Sequence, residues 1–346
     1  MRALRIHAHG GLERLVFEDL PDPVPGPGEV RIKVAATSLN HLDLWVRRGV
    51  PGHRFPLPIT PGCDAAGWVD RLGAGVTHWR EGDEVVVAPG FSCGVCRVCV
   101  SGEDNLCSSF GILGETRDGA DAEFVVVPAR NLLQRPRRLD FPAAASFALT
   151  FLTAWHMLVA RATVRPGETV LILAAGSGVS SAALQIATLL GARVLAAAGS
   201  APKRERALTL GARQVFDSRS PNLGNEVRAV VGRAGVDVVF DHVGEATFGT
   251  SMRLLARGGR YVFCGATSGF EMKTDFRPLF FRNLSILGST MGGLHELHCI
   301  RDLIEDGRLQ PIVDRVLPLA EAAEAHRALE AGEAFGKIAL RVAEAA

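Results

Sequence analysis

Four cysteines, Cys93, Cys96, Cys99 and Cys107, fall within 15 residues in the pattern C-x2-C-x2-C-x7-C. Thiolates are soft donors, and four at such short spacings suit one tetrahedral zinc, with Zn–S of about 2.3 Å, in a closed structural site. The surrounding GFSCGVCRVCVSGEDNLC is polar and glycine-containing, an excursion that needs a metal to hold its shape. An iron–sulfur cluster takes the same ligands, but the compact loop favours zinc. Cys63, Cys264 and Cys299 are scattered.

A second stretch, 168–200, reads ETVLILAAGSGVSSAALQIATLLGARVLAAAGS. Its apolar, β-branched run at 169–173 suits a buried parallel strand. Small residues then permit a tight turn, and apolar positions recur at helical spacing from Val179 to Leu190 before a second buried strand at 193–198. This is a βαβ unit of about 30 residues. Free N–H groups at the helix N-terminus and the lack of bulky side chains at Gly176, Ser177, Gly178, Val179 and Ser180 favour a bound pyrophosphate. Only two glycines of the G-x-G-x-x-G pattern are present, with Ser181 at the third.

The elements that must carry these stretches fall into two patterns. Residues 1 to about 150 are β-rich, with strands expected at 3–7, 30–38, 67–72, 84–87 and 123–128 between turns rich in proline and glycine. Residues 140–159 are apolar at helical spacing. From 165 to about 290, strands at 169–173, 193–198, 214–216, 236–240, 259–264 and 284–288 alternate with helices near 179–190, 202–210, 223–231 and 246–255. Six strands so interleaved predict a doubly wound parallel sheet. The tail holds two helices, 295–305 and 319–331, and a strand at 337–341, and is expected to return to the first domain.

Composition narrows the partners. The chain has 346 residues, 47% apolar and 22% charged, with a net charge of +1. That length carries two domains with cores of their own, and the near-neutral charge gives no reason to expect nucleic acid or an anionic membrane. MRALRIHAHGG has no apolar signal region, and no apolar run reaches 18 residues, so a cytoplasmic protein outside the membrane is expected. Seven cysteines in that setting argue against a disulfide framework. Arginine outnumbers lysine 34 to 4, which reads as base composition rather than function.

The four-cysteine lobe, PGCDAAGWVDRLGAGV at 61–76, GDEV at 82–85, LTFLTAWHML at 149–158, VDVVFDHVG at 236–244 and GGRYVFCGATSG at 258–269 together resemble the medium-chain dehydrogenase/reductase superfamily over nearly the whole chain. This superfamily includes zinc alcohol dehydrogenases and zinc-independent quinone oxidoreductases. The resemblance implies an α/β protein. Residues 1–150 and 291–346 would form a GroES-like β-rich catalytic domain with a zinc lobe at 90–110, and 151–290 a Rossmann coenzyme domain, with a cleft joining the two.

Departures from the alcohol dehydrogenase pattern shape the functional expectation. The family's three catalytic-zinc ligands correspond here to Asn40 in NHLD, Cys63 in GCD and Leu149 in ALTFLTAW. Leucine ligates nothing and a neutral amide ligates poorly, so the catalytic metal is expected to be absent and the single zinc structural. Leu42 replaces the family's proton-relaying hydroxyl. Asn40 is what quinone reductases carry there, and its amide is expected to donate to an acceptor oxygen or hold the nicotinamide side of the cleft; a turn residue before a helix is the other reading. Asp43 matches the family's aspartate behind the metal, and Cys63 is either a redox-active thiol or a small buried residue.

The end of the second Rossmann strand decides the coenzyme. NAD enzymes carry an acid there for the ribose 2′-OH, whereas this chain has Ala198-Gly199-Ser200-Ala201-Pro202-Lys203-Arg204. Ser200, Lys203 and Arg204 favour the 2′-phosphate of NADPH, with NADH a possible substitute. The resemblance adds Thr153, Val243, Cys264, Gly265, Ala266 and Lys337 as further coenzyme-side residues. The expectation is an NADPH-preferring reductase of a carbonyl, quinone or activated alkene (an enone). The strand at 284–288 would pair with its twin in a homodimer or homotetramer. Two alternatives stay open: an alcohol dehydrogenase with an unorthodox zinc site on Cys63, Asp64 and His41, and a non-catalytic NADPH-binding protein.

Overall fold

A computed structural model describes residues 1–343. The chain divides into two compact units, Met1–Thr150 together with the segment from Gly293 onward, and Phe151–Gly292.

The first unit is built on a mostly antiparallel sheet. Its strand order is Val313–Pro318, Lys337–Arg341, Glu29–Ser38, Asp64–Leu72, Glu84–Val87 and Leu132–Gln134, with Phe124–Pro128 also paired to Glu29–Ser38. Alternation of apolar and polar residues in VRIKV puts Val30, Ile32 and Val34 into the core. The strand at 313–318 went unread in the sequence because DRVLP carries charge and proline. It pairs parallel to Lys337–Arg341. The last strand lies antiparallel to Glu29–Ser38, with Ala339 opposite Ser38. On the other side of that central strand, Ser38 faces Asp64. One line of register thus brings the two ends of the chain to the segment around residue 40. Gly67 is required here, because a Cβ would stand 2.1 Å from the Lys33 carbonyl oxygen.

The second unit holds six parallel strands in the order Gln214–Asp217, Arg193–Ala198, Thr169–Ile172, Val236–Asp241, Leu255–Phe263 and Ser285–Gly288. In chain order this is 3-2-1-4-5-6, the doubly wound dinucleotide arrangement. The order reverses beside Thr169–Ile172, so its C-terminal end opens at the switch point where ligands bind such sheets. Leu171, Leu195, Val239 and Tyr261 pack into one buried cluster with Val227, Phe248 and Met252 from helices Leu223–Val231 and Glu245–Leu254. At about 25 cal/mol per Å² of apolar area removed from water, such burial is the main stabilising contribution. Helix Phe276–Phe281, unread in the sequence, leaves Phe276, Phe280 and Phe281 exposed. The helical stretch Phe141–Arg161 has a length and composition that could cross a membrane, but 72% of its apolar window is buried in the protein.

Candidate functional site

The lobe between 90 and 110 has little core of its own: no residue of helix Arg97–Val100 is buried. It is held by sulfur. Sγ of Cys93 lies 3.8 Å from that of Cys99, and Cys96 Sγ is 3.4 Å from Cys99 and 3.9 Å from Cys107. All four sulfurs lie within 4.8 Å of one another. A tetrahedron with Zn–S of about 2.3 Å has edges of about 3.8 Å, so the set needs only small side-chain adjustments to hold zinc. The N–H groups of Val95 and Cys96 bring the Cys93 thiol down to about 6, which favours the thiolate a metal needs.

In the second unit the small-residue turn begins with Ala174 in the left-handed region, φ 47°, a conformation that costs a non-glycine residue energy and is held by its surroundings. Ser177 caps helix Gly178–Leu189, its Oγ accepting from Ser180 N at 3.0 Å. That leaves the Gly178 and Val179 amides in the first turn, where a helix offers no acceptor, and an anion suits them. Ser181 sits at the third glycine position by turning inward, its Oγ donating to the Gly178 carbonyl at 2.9 Å. His242 was missed in the sequence. Its Nε2 lies 2.9 Å from Ser177 Oγ and 3.2 Å from Ser180 Oγ, and desolvation holds the imidazole below its usual range, so the ring faces the turn uncharged.

The loops beside this turn are laced together. Asp241 accepts from Val243 N at 2.6 Å, Thr247 Oγ1 at 2.6 Å and Tyr261 Oη at 2.8 Å. Ser268 N donates to the Val243 carbonyl, and a Cβ on Gly244, φ 87°, would reach Ala266 Cα at 2.9 Å. Val243 and the Cys264-Gly265-Ala266 loop are thereby neighbours. Burial and the Asp241 charge push the Cys264 thiol up to about 12. Thr153 is buried on helix Ala148–Trp155.

At the second strand's end the structure redistributes the cations. Ser200 is the N-cap of helix Ala201–Thr209 without using its hydroxyl as a cap. The Lys203 side chain crosses Gly176, whose Cβ would stand 2.7 Å from Lys203 Cδ. Arg204, expected to meet a phosphate, is instead paired with Asp217 at 3.1 Å. Arg219, unread in the sequence, brings its Nε to 3.1 Å from a Cβ built on Gly199, with Ser218 Oγ at 3.4 Å. It follows the third strand, where no local pattern marks it.

In the first unit, Asn40, Asp43, Cys63, Asp64 and Lys337 are all buried. The three Lys337 Nζ contacts are the Leu39 carbonyl at 2.7 Å, Asn40 Oδ1 at 2.5 Å and Asp64 Oδ2 at 3.1 Å. Asp64 Oδ2 also accepts from Asn40 Nδ2 at 2.9 Å and Ser38 Oγ at 3.2 Å, and its Oδ1 from Leu149 N at 2.9 Å. Asn40 Nδ2 further lies 3.1 Å from Cys63 Sγ. Two expectations change here. Lys337, expected beside the coenzyme, has its three donors engaged within its own unit. The Asn40 amide, expected to donate to an acceptor oxygen, already donates to Asp64 and Cys63.

Asp43 starts helix His41–Arg48, accepting from Asn40 N at 2.7 Å and Gly62 N at 3.1 Å. Burial pushes it up to about 6 against those bonds and the Lys337 charge. Burial, then the Asp43 and Asp64 charges, push the Cys63 thiol well above its usual value, which leaves a small buried thiol rather than a redox-active one. Asp121, which nothing in GADAEF marks, lies under the same cluster and is pushed up to about 8 by burial and Asp43. Leu149, Asn40 and Cys63 are thus brought together as the family's ligand positions would be, but without a ligand set. Among the described residues, the four lobe cysteines alone form a metal-type group of His, Cys, Asp or Glu.

A switch-point turn on a 3-2-1-4-5-6 sheet, a separate sheet unit and a four-thiol lobe define a zinc-binding, nicotinamide-type dehydrogenase. Family models agree: the alcohol dehydrogenase GroES-like domain matches residues 26–137, and the zinc-binding dehydrogenase model matches 210–340. A solved NAD-dependent alcohol dehydrogenase is 50% identical, with a TM-score of 0.96, covering 99% of this chain and 100% of its own. The crotonyl-CoA carboxylase/reductase of Cereibacter sphaeroides is 31% identical over 94% of this chain and 83% of its own length. The quinone oxidoreductase of Homo sapiens is 28% identical over 98% and 97%. The chain belongs to the medium-chain dehydrogenase/reductase superfamily and is an oxidoreductase of that kind.

Proposed function

We propose that this protein is an NADPH-preferring reductase that transfers hydride to a carbonyl, quinone or activated alkene, with zinc in the cysteine lobe alone. The observation that carries the coenzyme reading is the end of strand Arg193–Ala198, which has no acid of its own and has Ser200 next in the chain, Arg219 against Gly199 and Lys203 across Gly176, while the Asp217 carboxyl on the adjoining strand is taken up by Arg204. A 2′-phosphate brings two negative charges to such a strand end, and charge-assisted hydrogen bonds to it outweigh neutral ones. Bound NADPH supplies the hydride. The Gly178 and Val179 amides would receive its pyrophosphate, and the loops at Val243 and Cys264-Gly265-Ala266 would position its nicotinamide end. The acceptor classes follow relatives named for quinone reduction and crotonyl-CoA reduction.

Cys93, Cys96, Cys99 and Cys107 would hold the zinc, which shapes the lobe. A reducing cytoplasm suits seven free thiols. Strand Ser285–Gly288 lies at the sheet edge with Ile286 exposed, and pairing of two such edges would make a homodimer.

The test follows NADPH absorbance with quinones, enals and aldehydes, and NADP+ reduction with alcohols. Turnover of acceptors that survives removal of loosely held metal supports the reading. Activity confined to alcohols and lost on mild chelation favours a zinc alcohol dehydrogenase. Tight NADPH binding without turnover of any acceptor favours a non-catalytic binding protein.

A further inference from the structure

The place where the family's catalytic metal would sit carries a positive charge of the chain's own. Lys337 comes from the last strand, Asn40 from the entry to helix His41–Arg48, Asp64 from the adjacent strand. They meet because Ser38 is in register with both Ala339 and Asp64. An ammonium has three N–H donors and no acceptor, and Lys337 spends all three inside this cluster. Asp64, with no exposed surface, receives hydrogen bonds from the Asn40 amide, the Leu149 N–H and that ammonium. Buried charges persist only when paired and hydrogen-bonded, and this pair meets both conditions. A divalent ion arriving here would find a neutral amide, a leucine, a buried protonated thiol and a carboxylate already matched to a fixed cation.

We propose that Lys337 is a resident cation that takes the place of the catalytic metal. It neutralises Asp64 and orients Asn40 by binding its Oδ1, so that Nδ2 is directed to Asp64 and Cys63. Lys337 is then a positioning residue and the site is closed to a second metal. The inference rests on the metal-independent reading above. It is read through metal content and stability rather than turnover, so failure of the reductase assay leaves its outcome untouched.

The test compares the full-length wild type with Lys337→Met, Asp64→Asn, the double variant and Cys63→Ser. The wild type should hold one zinc per chain, and its cobalt-substituted form should show four-thiolate absorption that Cys63→Ser leaves unchanged. In Lys337→Met the Asp64 carboxyl loses its partner. A buried carboxyl left without its cation is uncompensated, which destabilises the folded chain. Asp43 and Cys63 also feel the Lys337 charge, so the double variant, not Lys337→Met alone, isolates the pair. The thermal midpoint should fall relative to wild type by roughly 5–15 °C. The double variant, with both charges removed, should recover most of the loss. If Lys337→Met does not fold at neutral pH, recovery of folded protein in the double variant supports the proposal, and a double variant no better than the single overturns it. A second zinc in the wild type that disappears in Cys63→Ser, or a Lys337→Met midpoint equal to that of wild type, also overturns it.

Discussion

Replacing Asp121 with asparagine should stabilise the protein in mild alkali while leaving it no more stable in weak acid. Asp121 is 2% exposed, and its Oδ1 abuts Gly62, where a Cβ would come within 2.4 Å. Burial and the nearby Asp43 raise it from 3.8 to about 8, opposed by a hydrogen bond from Thr37. Because the folded-state value exceeds the unfolded one, the stabilisation is complete below about pH 4 and is lost as pH climbs toward 8. Each pH unit in that window costs about 1.4 kcal/mol, so raising pH from 5 to 8 removes up to roughly 4 kcal/mol. Asparagine has the same shape and no proton to lose, so that part of the slope vanishes in the variant. At about 2–4 °C per kcal/mol for a unit of this size, the midpoint of Asp121→Asn relative to wild type should shift upward by roughly 8–16 °C between pH 5 and 8. Thermal unfolding followed by circular dichroism at pH 5, 6.5 and 8, with zinc held constant, measures it. The Asp43 charge is one cause of the Asp121 shift, so Asp43, itself pushed up to about 6, is relieved in the variant and changes the slope in the same direction. A constant offset between the two midpoints at all three pH values would refute the reasoning.

Lys203→Ala and Arg219→Ala should each weaken NADPH by about three- to tenfold, the lower end of a charge-assisted contact because both sites are solvated, and leave NADH nearly unchanged; calorimetric titration of both coenzymes checks this. Asp217→Asn releases Arg204 from its 3.1 Å ion pair and should tighten NADPH by a few-fold, which the same titration reads. Cys107→Ser should release the lobe zinc to a chelator and increase proteolysis between residues 90 and 110, because the lobe has almost no buried side chains of its own. Ile286→Glu should lower the mass measured by light scattering, since Ile286 stands exposed on the edge strand.

Short-range pattern determined much of this protein. The lobe cysteines fit one metal because 15 residues of chain keep four sulfurs near one another in almost any compact loop. The strand, small-residue turn and helix at 169–189 were legible because they are adjacent in sequence, and the alternation that followed marked the parallel sheet. The missing ligands were legible too, as an asparagine and a leucine stand at two of the positions that the family fills with cysteine. What occupies their place was decided by tertiary structure. Lys337 is 297 residues from Asn40 along the chain, and only the antiparallel register of the last strand against Glu29–Ser38 carries its ammonium there. In the sequence the same lysine reads as one more cation for the coenzyme. Arg204 is tied up for a similar reason, because its pairing with Asp217 depends on how the third parallel strand lies against the second. The raised carboxyls of Asp43 and Asp121 come from burial, which is set by what packs around a residue and is written in no single stretch of sequence.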